Sequence, residues 1–148
     1  MPTSSTTDTY RWSVLGIVMM GTFMAILDSS IVNIVLPRMM NTFEVNRNQI
    51  EWVTTGYMLT AAVVMPLVGW VTGRIDTKLL YLGALAIFTF GSALCAFSWS
   101  YESLIVAPLI QAVGGGAIQP IGMVIISDLF GPEERGKAIG IWATGSPL

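Results

Sequence analysis

Asp28 carries the most chemistry in this sequence. It stands between two uncharged runs, Trp12–Leu27 and Ser29–Pro37. An ionised carboxylate inside an apolar helix costs ~2.5–3.5 kcal/mol even on the lenient insertion scale, so such residues face a cavity or a partner and do a job. No Lys or Arg lies in these runs to neutralise it, and desolvation without a counter-charge favours the protonated form. Asp28 therefore reads as a proton carrier or as a site for a cationic substrate. The competing reading is a protonated carboxyl that holds another helix as packing glue.

Its neighbours fit an inward face. Gly21, Ala25, Asp28 and Val32 recur at three- or four-residue spacing, so small side chains beside the carboxyl let another helix or a ligand approach. Ser29 and Asn33 form a second pair at i and i+4, with Asn33 read as helix–helix glue rather than a ligand. Further on, Gln111, Gly115, Gln119 and Gly122 share one helical face in a stretch that includes Gly114-Gly115-Gly116 and Pro120. Such a face permits close helix packing, and a buried glutamine beside it can equally line a pathway. Gly69, Gly73, Arg74, Asp76 and Lys78 crowd one short connection, where the two cations either fix topology or bond to a neighbouring helix end.

Other chemistries are excluded by what is lacking. With no His and only Cys95, the chain cannot assemble a zinc site, a Cys/His nucleophile or an internal disulfide. No metal ligand set, catalytic residue or cofactor site is expected, and an enzyme is not. The glycine row lacks the Lys-Ser/Thr that a phosphate-binding loop requires. A net charge of −2 without a basic cluster disfavours nucleic acid.

The elements that must position Asp28 are membrane helices. Only 11% of the 148 residues are charged and 53% are hydrophobic, against about a quarter charged in a soluble domain. The uncharged runs Trp52–Gly73, Leu79–Tyr101 and Ser103–Ser127 each exceed the roughly 20 residues that cross a bilayer. The two runs around Asp28 join into a further span, and Ala138–Leu148 is half of one. The expectation is an all-α polytopic bundle with spans near residues 12–37, 51–73, 79–99 and 103–128, an incomplete fifth at 137–148, and a disordered tail over 1–10. Asn41–Ile50 reads as a polar outside loop, Gly73–Lys78 as a tight inside turn, and Gly131-Pro132 as a helix break followed by acidic residues that open the next helix. A cleaved secretory signal is the alternative for the first segment, but that segment runs on past Asp28 to Pro37.

Arg11, Arg74, Lys78, Arg135 and Lys137 flank one side of the spans, and Arg38 and Arg47 the other. The positive-inside rule then places the N-terminus in the cytoplasm. Trp12, Trp52, Trp70 and Trp99 sit at expected span ends, where amphipathic rings prefer the headgroup layer.

Leu27-Asp-Ser-Ser-Ile-Val-Asn-Ile-Val-Leu-Pro37 resembles the first-helix signature Leu-Asp-x-Thr-Ile-Val-Asn-Val-Ala-Leu-Pro of drug/proton antiporters in the major facilitator superfamily, particularly the branch with fourteen spans. Trp52-Val-Thr-Thr-Gly-Tyr-Met-Leu59 looks like the same branch, and Gly145-Ser-Pro-Leu148, with Pro147, resembles the start of its fifth-helix glycine-proline motif. The chain departs from the pattern in two places. The family's loop Gly-x-Leu-Ala-Asp-Arg-x-Gly-Arg-Lys is met by Gly69, Arg74 and Lys78, but its Asp falls at Gly73 and its second Gly at Asp76, so a charge-based lock survives only if Asp76 substitutes. The fourth-helix pattern Leu-x-x-x-Arg-x-x-Gln-Gly-x-Gly is met by Leu104, Gln111 and Gly114, with Pro108 in place of Arg and Ala112 in place of the first Gly. Coupling then relies on Asp28 alone, or it is impaired.

The resemblance implies the N-terminal half of a major-facilitator-type bundle, here an N-terminal piece of a proton-coupled multidrug exporter unable to transport by itself. It implies the cell inner membrane as location, and the lipid bilayer, protons, small amphipathic or cationic drugs and a periplasmic adaptor protein as partners. Asp28 would couple protons, while Tyr57, Met58, Gln111 and Gln119 would line the cavity. Asn33, Gly69, Arg74, Asp76, Lys78, Gly114, Gly115 and Pro147 would be structural. The alternative is a complete four-helix membrane scaffold or assembly subunit.

Overall fold

The computed structural model describes residues 4–43, 46–97 and 100–144; the side chains of 4–7, 29, 31–43, 47, 49–50, 101 and 104 are not described. All elements among the described residues are helices: α1 (Ser4–Phe43), α2 (Arg47–Val71), α3 (Thr77–Ala96), α4 (Tyr101–Leu129) and α5 (Pro132–Thr144). The first four are long and apolar enough to cross a membrane. Large side chains such as Met20, Leu59, Leu79 and Phe90 stand exposed on the outer surface, as lipid contact requires and water would penalise.

Helix ends follow local chemistry. Asp76 caps α3 by accepting from the Lys78 and Leu79 amides at 2.9 and 3.2 Å. Ser100 and Ser103 form a reciprocal capping box at the start of α4. Pro132 opens α5 and Glu133 and Glu134 occupy its first turn, where the helix dipole favours acids. At the other end of that connection, Arg135 Nη2 donates to the Ser127 carbonyl at 2.6 Å and satisfies an orphan acceptor in the last turn of α4.

Two boundaries differ from expectation. Residues 4–10, expected as a disordered tail, extend α1 instead: Asp8 and Arg11 lie 4.0 Å apart across one turn, and Ser13 Oγ donates to the Thr9 carbonyl at 2.8 Å. The polar loop expected over 41–50 is largely helical, with α1 running to Phe43 and α2 starting at Arg47. No Gly or Pro occurs between Pro37 and Gly56, so polarity alone has nothing to break the helix.

Helix α4 is the hub. It packs against each of the other four helices, most extensively against α3 and then α2. In lipid, helix association rests on close packing of small residues rather than on escape from water, and α4 supplies them. A Cβ at Gly116 would lie 2.8 Å from Ala61 Cα on α2, and a Cβ at Gly91 of α3 would lie 2.6 Å from the Gln111 backbone. Gly114 faces the backbone of Ala84 and Phe88 on α3 in the same way. Ile118, Ile121 and Ile126 of α4 then complete a core with Leu15, Val18, Phe88 and Phe130.

Candidate functional site

Asp28 is half-buried on α1 and meets two neighbouring helices. From α3, Ser92 Oγ donates to Asp28 Oδ1 at 3.2 Å. From α4, Gln111 Nε2 donates to Asp28 Oδ2. Helices α3 and α4 are themselves joined there, because Cys95 Sγ donates to Gln111 Oε1 at 3.3 Å. The spacing of Ser92 and Cys95 puts both on one face of α3. Gly91 just before them lets the α4 backbone approach closely at Gln111, which accepts from Cys95, while Ser92 reaches Asp28 on α1.

Each hydrogen-bond partner of Asp28 among the described residues is neutral. The acceptor-only carboxylate is matched by one donor on each oxygen, and Gln111 is only 1% exposed. Tyr57 of α2 lies within the electrostatic reach of Asp28, and its hydroxyl fills the space over Gly115, where a Cβ would come 2.8 Å away. A carboxyl held by neutral groups can gain or lose a proton without abandoning a buried cation.

A second polar link lies six residues back along α1, about 9 Å from Asp28. Trp142 Nε1 of α5 donates to Thr22 Oγ1 at 3.2 Å, and Thr22 Oγ1 donates to the Val18 carbonyl at 3.0 Å. Tyr81 Oη of α3 donates to that same carbonyl at 3.4 Å. Gly21 leaves room for the Tyr81 ring and hydroxyl.

The remaining sequence candidates are dispersed. Met58 is 65% exposed on α2, and Gln119 is half-buried on α4. Among the described residues Arg74 bonds to its own helix: its Nη1 donates to the Trp70 carbonyl of α2 at 3.0 Å, and its guanidinium stacks 3.7 Å from the Trp70 ring centroid. Asp76 and Lys78, with Tyr10 and Asp128, border a hollow of about 360 Å³ between α1, α3 and α4. A Cβ at Gly69 would meet nothing within 4 Å. The side chains of Ser29, Val32 and Asn33 are not described, and Trp99 and Pro147 lie outside the described residues. Sequence reasoning missed Ser92, Cys95, Thr22, Tyr81 and Trp142 as polar partners. The run Gly91-Ser92-x-x-Cys95, a small residue before two hydrogen-bonding ones on one face, was the available signal for the first two.

The fold is that of a known transporter structure. A bacterial homolog to the human lysosomal transporter Spinster, in an inward-facing and unoccupied conformation, superposes with a TM-score of 0.82 at 24% identity, over 92% of this chain and 29% of that one. The uncharacterized MFS-type transporter YhcA of Bacillus subtilis (strain 168) is 40% identical over 88% of this chain and 24% of its own length. The riboflavin transporter RibZ of Clostridioides difficile (strain 630) is 40% identical over 88% of this chain and 29% of its own. The putative multidrug resistance protein MdtD of Yersinia pestis (strain Pestoides F) is 37% identical over 90% and 28%. The chain thus spans about a quarter of the length of the curated relatives it matches. With residues 18–148 matching the Major Facilitator Superfamily, four helices able to span a bilayer and Asp28 set among them, the chain belongs to that superfamily of multi-pass membrane transporters.

Proposed function

We propose that this chain supplies the proton-binding carboxyl of a proton-coupled multidrug efflux transporter, of the drug/proton antiporter branch with fourteen spans. Its N-terminus lies in the cytoplasm, in the cell inner membrane. The observation that carries the reading is Asp28: a membrane-embedded acid, half-buried, with both oxygens held by neutral donors of α3 and α4. A proton and a cationic drug compete for one negative charge, so binding of either displaces the other. Exchange of the two across the membrane is antiport. The similarity to MdtD supports drugs as the substrate class. Because the chain spans about a quarter of its relatives' length, transport is a property of the complete carrier.

The test is efflux of a cationic dye from cells expressing the whole reading frame, driven by an imposed pH gradient. Asp28→Asn abolishes gradient-driven efflux if the reading holds. Pumping at the wild-type rate by that variant removes Asp28 from the mechanism.

The similarity to RibZ supports a second reading, carriage of riboflavin. Riboflavin is uncharged and planar, so its movement would not compete with a proton for Asp28. Accumulation of labelled riboflavin that is indifferent to Asp28→Asn distinguishes this reading from antiport.

A further inference from the structure

Cys95 is the single cysteine of the sequence and has no part in the chemistry described so far. It nevertheless occupies a decisive position. The terminal amide of a glutamine has two nearly isosteric ends of opposite hydrogen-bonding sign, one accepting and one donating. Which end of Gln111 meets Asp28 decides whether the ionised or the protonated carboxyl is favoured. The backbone of Gln111 is pinned against Gly91, where a Cβ would lie 2.6 Å away, and its side chain is 1% exposed. Only the amide is left to turn, and its far end faces the Cys95 thiol at 3.3 Å.

We propose that Cys95 is a positioning residue for Asp28: by donating to Gln111 Oε1, its thiol turns the amide so that Nε2 faces the carboxylate. This rests on the reading of Asp28 as the proton-binding group. When a proton arrives on Oδ2, the carboxyl becomes a donor facing the donor Nε2, and the two conflict. The amide then turns over, Oε1 accepts from Oδ2–H, and Nε2 faces the sulfur, a weak acceptor. The thiol loses its acceptor. Protonation on α1 is thereby registered as a changed hydrogen bond between α3 and α4. The titratable groups facing Asp28 among the described residues are Tyr57 from α2 and Cys95 from α3, while α4 contributes the neutral Gln111.

Infrared titration of the purified chain in lipid nanodiscs tests this directly, because one cysteine gives one S–H stretching band in an otherwise empty region. Difference spectra against Asp28→Asn identify the Asp28 carboxyl band. The S–H band is expected to move to higher frequency in step with the growth of that carboxyl band, and to stay fixed in Asp28→Asn. A carboxyl band that grows while the S–H band does not move places the proton on the Ser92 side and overturns the proposal, leaving the proton-binding role intact. Absence of any titrating Asp28 band down to about pH 4, the ordinary carboxylate range, overturns both. As a second reading, Cys95→Ser keeps the wild-type midpoint and Cys95→Ala displaces it by about a third to a half of a pH unit, the equivalent of one weak hydrogen bond. Coincident midpoints for wild type, Cys95→Ser and Cys95→Ala also overturn the proposal.

Discussion

Gly91 is the position whose replacement tests the architecture most sharply, because the same helix carries its own control. A Cβ at Gly91 would lie 2.6 Å from Gln111 N and Cα and 2.7 Å from Gln111 Cβ, whereas carbon atoms pack at about 3.5–4.0 Å. The obstructing atoms are backbone and cannot swing aside, so Gly91→Ala must part α3 and α4 by about 1 Å locally. Overpacking of that kind costs about 1–3 kcal/mol. The movement also carries the Cys95–Gln111 contact, at 3.3 Å across the same pair of helices, beyond hydrogen-bonding range. A Cβ at Gly83, two turns earlier on α3, would meet nothing within 4 Å. There the change to Ala stabilises by up to about 1 kcal/mol through helix propensity. The two variants are therefore expected to differ by about 1–4 kcal/mol in opposite directions from wild type. Reversible unfolding of the chain in mixed micelles, followed by tryptophan fluorescence as the denaturing detergent fraction rises, measures the difference. Equal stability of Gly91→Ala and Gly83→Ala would refute the claim that α3 and α4 touch backbone to backbone.

Asp76→Ala removes the acceptor of the Lys78 and Leu79 amides and is expected to cost about 1 kcal/mol, with faster hydrogen exchange at those two amides; Asp76→Ser is expected to retain protection. Trp142→Phe keeps a ring but deletes the donor to Thr22. The expected loss is about 0.6 kcal/mol, the average for an interhelical hydrogen bond in a membrane, and a loss several-fold greater would mean that the indole is held by packing. Arg11, itself half-buried, approaches the exposed carboxylates of Asp8 and Glu134 at 4.0 and 3.9 Å. Arg11→Gln is therefore expected to leave unfolding unchanged within about 0.5 kcal/mol at moderate salt, and a larger change would show that this pair clasps α5 to α1.

Asp28 and Gln111 were legible in the sequence because a charge or an amide inside an apolar run is costly, and cost marks a position that does something. Their contact was not legible. Periodicity assigns residues to the faces of one helix, but it carries no information on which helix lies opposite. The same limit hid Ser92, Cys95 and Thr22, small groups that scarcely alter the hydropathy of a span. The face read from the sequence takes only Gly115 from the glycine row, since successive positions turn by about 100° around a helix. Gly114 accordingly meets α3 and Gly116 meets α2. Arg74 and Asp76 belonged to a loop read against a family pattern, yet each is used locally, one to cover the end of α2 and the other to start α3. The helices were also expected too short, α1 at both ends and α2 at its start, because polarity in the tail and over 41–50 was taken as a break.

Pro108 shows how one departure from the family pattern fits the geometry. The pattern places an arginine there, three residues before Gln111 and on the same face of α4. An arginine near Asp28 would hold the carboxylate ionised through a charge-assisted bond, and proton uptake would have to break an ion pair and strand a buried cation. Here, among the described residues, α4 contributes Gln111 to that contact, and Pro108 is buried. If Asp28 takes up the proton as proposed, uptake exchanges one set of neutral hydrogen bonds for another, which makes the switch between the two protonation states less costly than in an arginine-bearing site. The expected consequence is that Asp28 responds directly to substrate charge and pH, with no separate base to relay the proton. Efflux measured with a cationic and an uncharged dye separates the cases. If Asp28 alone carries the proton, Asp28→Asn abolishes gradient-driven export of both dyes, whereas loss of cation export with the neutral compound spared means that Asp28 recognises substrate charge and a further group, outside the described residues, carries the proton.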